Sequence, residues 1–172
     1  MNEGNSELSG EEGAAADAHR QRIFLVVVDD TPESKVALRF ASRRASRVGG
    51  GVALLHVVEP PDFQHWMGVG EMMREEAREE AERLLQGLAG QAYEDTEIRP
   101  ELIIREGQKD EELLKLIEED PGIRILVLGA SPDKGGPGPL VTSLAGEMSG
   151  SFRIPITVVP GTLTDEQIEQ LT

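Results

Sequence analysis

The sequence holds 172 residues, 38% of them hydrophobic, which is enough for one domain with a real core and too few for two. Its formal net charge of −15 sets it against DNA and RNA, whose backbones are bound through Lys and Arg, and against anionic membrane surfaces. The absence of cysteine removes disulfides, thiolate metal sites and cysteine nucleophiles together. A small phosphate ligand stays open, because a local ring of backbone N–H groups can hold one against the global field.

Residues 1–20, rich in Glu, Gly, Ser and Ala, carry almost no large apolar side chain and read as a disordered acidic tail. The start is acidic where a secretion signal needs basic residues and an apolar run. The longest apolar run of the tail and first strand, Ile23–Val28, falls far short of the ~20 residues that cross a bilayer. The chain therefore reads as soluble and cytoplasmic. Residues 21–161 are expected to form one domain, and residues 162–172 a C-terminal tail or a short helix capped by Thr164.

The first strand is expected within Arg22–Asp29, a continuous apolar run of the kind that lies buried on both faces of a parallel sheet. A helical pattern follows over Glu33–Val48, with Ala37, Leu38, Ala41, Ala45 and Val48 on one face. Then come a second strand at Gly51–Val58 and a long amphipathic helix over Glu71–Ala92. A third strand at Arg99–Arg105 leads to a helix over Lys109–Asp120, ended by Pro121-Gly122. A fourth strand at Ile123–Gly129, a helix over Leu140–Phe152 and a fifth strand at Ile154–Val159 complete the series. Strict alternation of strands and helices predicts an open five-stranded parallel sheet with helices on both faces. Ligands of such sheets bind at the strand carboxyl ends, where the winding reverses.

The loops at that end are expected to be Asp29–Glu33, Glu59–Gly70, Glu106–Lys109 and Ala130–Pro139. Asp29, after the first strand, is placed to accept hydrogen bonds from a ribose or adenine amine, to hold a metal, or to cap the next helix, where Thr31 followed by Glu33 and Ser34 also offers caps. Asp30 reads as solvated. The loop Gly129–Leu140 carries Gly129, Gly135, Gly136 and Gly138 and leads into a helix expected to start near Thr142-Ser143. It reads as a phosphate-approaching backbone or as a Gly/Pro connector, since Pro132, Pro137 and Pro139 lack donors. It has neither P-loop spacing nor a dinucleotide fingerprint. Phe63–Met73 gathers Phe63, Trp66 and three methionines, and reads as a hydrophobic loop over the long helix, or as a lid or contact surface. The three histidines, His19, His56 and His65, have no metal-binding spacing, and His56 reads as a packed sheet residue. Ser143 has no identifiable base and reads as a cap or phosphate contact.

VVVDDTPESKVALRFA after the first strand, LLHVVEP, ILVLGAS and FRIPITVVPG occur in one order over Arg22–Pro160, and there the chain resembles the universal stress protein (UspA-like) family. The resemblance implies a Rossmann-like fold of the adenine nucleotide alpha hydrolase type, with strand order 3-2-1-4-5. It also implies a cytoplasmic homodimer paired through the fifth-strand edge, in a stress-response or regulatory role without robust catalysis. In the family's nucleotide-binding branch, a Gly-x2-Gly-x9-Gly-Ser motif holds ATP phosphates and ribose. At that spacing it falls on Gly129, Pro132, Thr142 and Ser143, so two glycines are replaced. The resemblance further places adenine and ribose contacts at Asp29, Val57, Leu128 and Leu144. Pro132 has no N–H and Thr142 carries a Cβ where the backbone should meet phosphate, so ATP binding, with Mg²⁺ if it occurs, is expected to be weak or absent. The competing expectation is a nucleotide sensor or slow ATPase using Asp29, Gly129 and Ser143.

Overall fold

The computed structural model describes residues 22–60 and 70–172. The expected acidic tail and most of Phe63–Met73 lie outside the described residues. Five strands and the helices between them follow in order: β1 (Ile23–Val27), α1 (Pro32–Val48), β2 (Gly51–Val58), α2 (Gly70–Thr96), β3 (Glu101–Glu106), α3 (Lys109–Glu119), β4 (Ile123–Ala130), the single turn α4 (Pro139–Val141), β5 (Ile156–Pro160) and α5 (Asp165–Leu171). All pairs are parallel and the strand order is β3-β2-β1-β4-β5, as expected.

The apolar runs form strands because each side chain in turn meets a different helical layer. Phe24, Val26 and Val28 point to the layer of α1 and α2, where they meet Ala37, Ala41, Leu85 and Leu88. Leu25 points the other way, to Leu113 and Ile117 of α3 and to Leu144. Both faces of the sheet are thereby covered, and a strand so placed has no polar side to show.

Most boundaries shift by a residue or two and α2 runs on four residues past the expected Ala92, to Thr96; three further differences have a local cause, which in two of them is proline. β3 begins after Pro100 and β5 after Pro155, each of which lacks a ladder donor. The third difference is larger. Leu140–Phe152 is not one helix: α4 passes into a π-helical stretch over Thr142–Glu147 and a 3-10 turn over Ser149–Ser151. Gly146 and Gly150 weaken a regular helix here, and Met148 donates its N–H to the Ser143 carbonyl five residues back at 3.0 Å.

The last helix, α5, carries a full capping box at Thr164 and Gln167 and lies against α1. Ile168 is fully buried, and Arg39, Arg43 and Arg47 of α1 face Asp165 and Glu169 of α5. Residues 162–172 thus end in a docked helix. Among the described residues no helix is long and apolar enough to cross a membrane.

Candidate functional site

The chain winds outward from β1 to β3, returns to β4 and continues to β5. The carboxyl ends of β1 and β4 therefore flank the point of reversal, where an open α/β sheet leaves a crevice. On the β1 side, the crevice wall is a tight turn. The Asp29 carboxylate oxygen Oδ1 accepts the Thr31 N–H at 3.1 Å and the Thr31 hydroxyl at 2.5 Å. The Thr31 hydroxyl oxygen in turn caps α1 by accepting the Ser34 N–H, with Pro32 opening the helix. Ser34, itself buried, accepts the Asp29 N–H at 3.0 Å. Asp29 thus supports the cap through one oxygen while its side chain borders the crevice. Asp30 is exposed and pairs with Lys35 at 3.1 Å.

On the β4 side, the loop folds back on itself. Ser131 donates its N–H to the Pro137 carbonyl at 3.2 Å, and Gly136 donates to the Asp133 carbonyl at 3.1 Å. The Asp133 N–H goes to the Ser131 hydroxyl at 3.3 Å. Gly136 and Gly138 both hold φ at 101°, a conformation that glycine supplies. Pro139 at the first helical position starts the helical turn three residues ahead of the expected Thr142. Thr142 consequently stands inside the turn, with its N–H and its hydroxyl both donated to the Gly138 carbonyl at 3.0 and 2.9 Å. Ser143 directs its hydroxyl to Met148 Sδ at 3.7 Å.

Between these walls lies a cleft of about 200 Å³. Of the residues singled out from the sequence, Asp29, Leu128 and Gly129 border it. Val57 is buried on the neighbouring strand and borders a separate groove of about 610 Å³ between β2 and α2. Leu144 is fully buried in the core, and Thr142 and Ser143 do not line the cleft. Gly129 has a packing duty of its own: a Cβ there would stand 2.6 Å from the Glu33 carbonyl carbon. Lys134 is exposed on the loop.

Two lining residues fall in the expected strand-end loops Asp29–Glu33 and Glu106–Lys109 but are not among the site residues singled out from the sequence. Lys109, the first residue of α3, is the only cationic side chain among the described residues that line the cleft. Its ammonium lies 3.7 Å from Glu59 Oε2, and its N–H donates to Glu59 Oε1 at 3.4 Å. Lysine at a helix start opposes the helix dipole, and that misfit was the available signal. Glu33, in the first turn of α1, lines the cleft beside Asp29. Nothing in its spacing marks it out, because a first-turn acid is ordinary.

His56 is held within the sheet, its Nδ1 lying 2.9 Å from the Val28 carbonyl. No group of three or more His, Asp or Glu side chains among the described residues is arranged to hold a metal ion. The part of Phe63–Met73 that is described, Gly70–Met73 at the start of α2, is exposed, Met72 and Met73 included.

A family model described as the universal stress protein family matches residues 21–160. Among solved structures, the universal stress protein UspA from Lactobacillus plantarum gives a TM-score of 0.68 at 17% identity, over 82% of this chain and 98% of that one. A universal stress protein from Archaeoglobus fulgidus in complex with dAMP gives 0.57 at 16% identity, over 80% of this chain and 96% of that one. A universal stress protein in complex with cAMP gives 0.58 at 14% identity, over 83% and 98%. At such identities the likeness establishes the fold.

Proposed function

Since the chain belongs to the universal stress protein family, we propose that it is a cytoplasmic, homodimeric stress-response or regulatory binding module whose strand-end cleft takes adenine nucleotides and holds ATP weakly. One observation carries the reading. The loop after β4 turns its donors inward, with Ser131, Asp133, Gly136 and Thr142 all bonded within the loop and its turn. Pro132, Pro137 and Pro139 have no donor to offer, so on this wall of the cleft only Gly138, Leu140 and Val141 keep an N–H for a triphosphate. The volume of about 200 Å³ also falls below the ~300–1,000 Å³ usual for ligand sites.

Support for adenine nucleotides comes from the relatives of the same fold that were crystallised with dAMP and cAMP. In this reading Asp29, Leu128 and Gly129 are the contacts at the base and sugar end, with Val57 and Leu144 acting from the core behind them. Thr142 and Ser143 would join only if the loop reopened. The second reading, an ATP sensor or slow ATPase using Asp29, Gly129 and Ser143, needs Ser143 to leave Met148. Isothermal titration with ATP and Mg²⁺ separates the two, once the purified protein has been checked for carried nucleotide. Weak or undetectable heat supports the binding module. Tight binding with slow release of phosphate supports the sensor.

A further inference from the structure

The charges around the cleft are unusual for a place that would hold phosphate. Its described lining carries two carboxylates, Asp29 and Glu33, against the single cation Lys109. Lys109 is already paired with Glu59. Asp29 uses one oxygen on Thr31, whereas no hydrogen bond or ion pair among the described residues ties the Glu33 carboxylate. The position of Glu33 is also built. Gly129 of β4 leaves room for its backbone, and a Cβ at Gly161, just past β5, would come within 2.8 Å of Glu33 Cβ. Two glycines from two strand ends thus clear the space in which Glu33 sits.

We infer that Glu33 sets the ligand preference of the cleft and turns it against phosphate, so that affinity falls with each phosphate added to the same nucleoside. The inference rests on the reading that the cleft takes adenine nucleotides. A free carboxylate in a partly enclosed cleft repels an added negative group, and the chain's net charge of −15 adds to that repulsion. On the wall opposite, Pro137 and Pro139 cannot donate, which leaves the N–H groups of Gly138, Leu140 and Val141 and no cation to set against the Glu33 charge. The sign of the salt effect follows. Screening weakens an attractive phosphate site, and here it relieves repulsion and strengthens ATP binding.

The test titrates the full-length protein with adenosine, AMP and ATP, with metal chelated, at about 0.02 M and about 0.3 M salt, conditions that change the screening length several-fold. The expected order is adenosine tightest and ATP weakest, with the gap narrowing at high salt. Glu33→Gln should leave adenosine within a factor of about two and tighten ATP about threefold, the scale of one unit charge some ångströms away in a wet cleft. ATP binding tighter than adenosine, or ATP weakened by salt, overturns the inference and leaves the nucleotide reading standing. If none of the three binds at millimolar concentration, both fall. Should Glu33→Gln fold poorly, the salt series on the unaltered protein decides alone.

Discussion

Thr31 donates both its hydroxyl and its N–H to one oxygen of Asp29, at 2.5 and 3.1 Å, and so ties the end of β1 to the start of α1. Asp29 therefore has a structural duty besides any contact with ligand. Asp29→Ala should cost about 1 kcal/mol of stability, the usual scale for a lost cap interaction. Asp29→Asn keeps an acceptor and should recover most of it. Thermal melts of the three proteins check this, and an unchanged midpoint for Asp29→Ala would show that the turn stands without the carboxylate.

Gly129 gives a sharper contrast. A Cβ there would lie 2.6 Å from the Glu33 carbonyl carbon and 3.1 Å from the Ser34 nitrogen, and both are backbone atoms that cannot swing aside. Gly129→Ala should therefore destabilise by about 1–3 kcal/mol, the range for overpacking. Thr142→Gly should alter nucleotide affinity little, because the Thr142 N–H stays committed to Gly138 whatever the side chain. Urea melts check the first statement and titration the second. A Gly129→Ala variant as stable as the parent would mean that α1 and β4 can part without cost.

Arg43 joins α1 to the end of α2 through a bidentate pair with Asp95, both bonds at 2.8 Å. The hydrogen bonds from Arg43 hold the Asp95 carboxyl below its ordinary value of 3.8. A depressed acid stabilises the fold above its unfolded pKa and loses that contribution as pH falls through the folded one. Because the pair is partly exposed, about 1 kcal/mol or less is at stake. The difference in melting temperature between the wild type and Asp95→Asn should be largest near neutrality and shrink toward zero under acid conditions. A difference independent of pH would point to a steric cause.

The strand pattern was legible in the sequence wherever an apolar run crosses both layers, as Ile23–Val27 does, because that environment admits no polar side chain. The order β3-β2-β1-β4-β5 then placed Asp29 and Gly129 at the reversal point. The segment after Gly138 was not legible. Leu140, Leu144 and Met148 keep a helical spacing that the backbone follows only in part, because Pro139 starts the turn early and glycines interrupt it. Lys109 and Glu33 lie in strand-end loops that the alternation of elements already put at the crevice, but no local spacing sets them apart from their neighbours as lining residues.

The proposed homodimer would pair through the outer edge of β5, and the geometry of that edge fixes how to test it. The Pro155 carbonyl accepts from Leu126, and the Gly161 N–H donates to Ala130, so the odd-numbered positions of β5 face β4. Ile156 and Val158 therefore turn their backbone groups outward, and the ion pairs of α5 run to α1, away from that edge. A bare strand edge is an aggregation hazard that a two-fold mate would cover. Val158→Pro removes an outward donor and should give a folded monomer by light scattering. Thr157→Pro breaks the ladder to β4 and should lower stability in any assembly state. A Val158→Pro protein that remains fully dimeric would place the interface elsewhere.

Most direct for the central claim is equilibrium dialysis of the nucleotide-free protein against labelled ATP with Mg²⁺. With Pro132, Pro137 and Pro139 lacking donors and the N–H groups of Ser131, Asp133, Gly136 and Thr142 bonded within the loop and its turn, the cleft should hold ATP with a Kd no tighter than tens of micromolar, an order-of-magnitude figure of about 6–7 kcal/mol. One ATP bound per chain with a submicromolar Kd, weakened by Ser143→Ala, would contradict the account and return the loop to the role of a phosphate cradle.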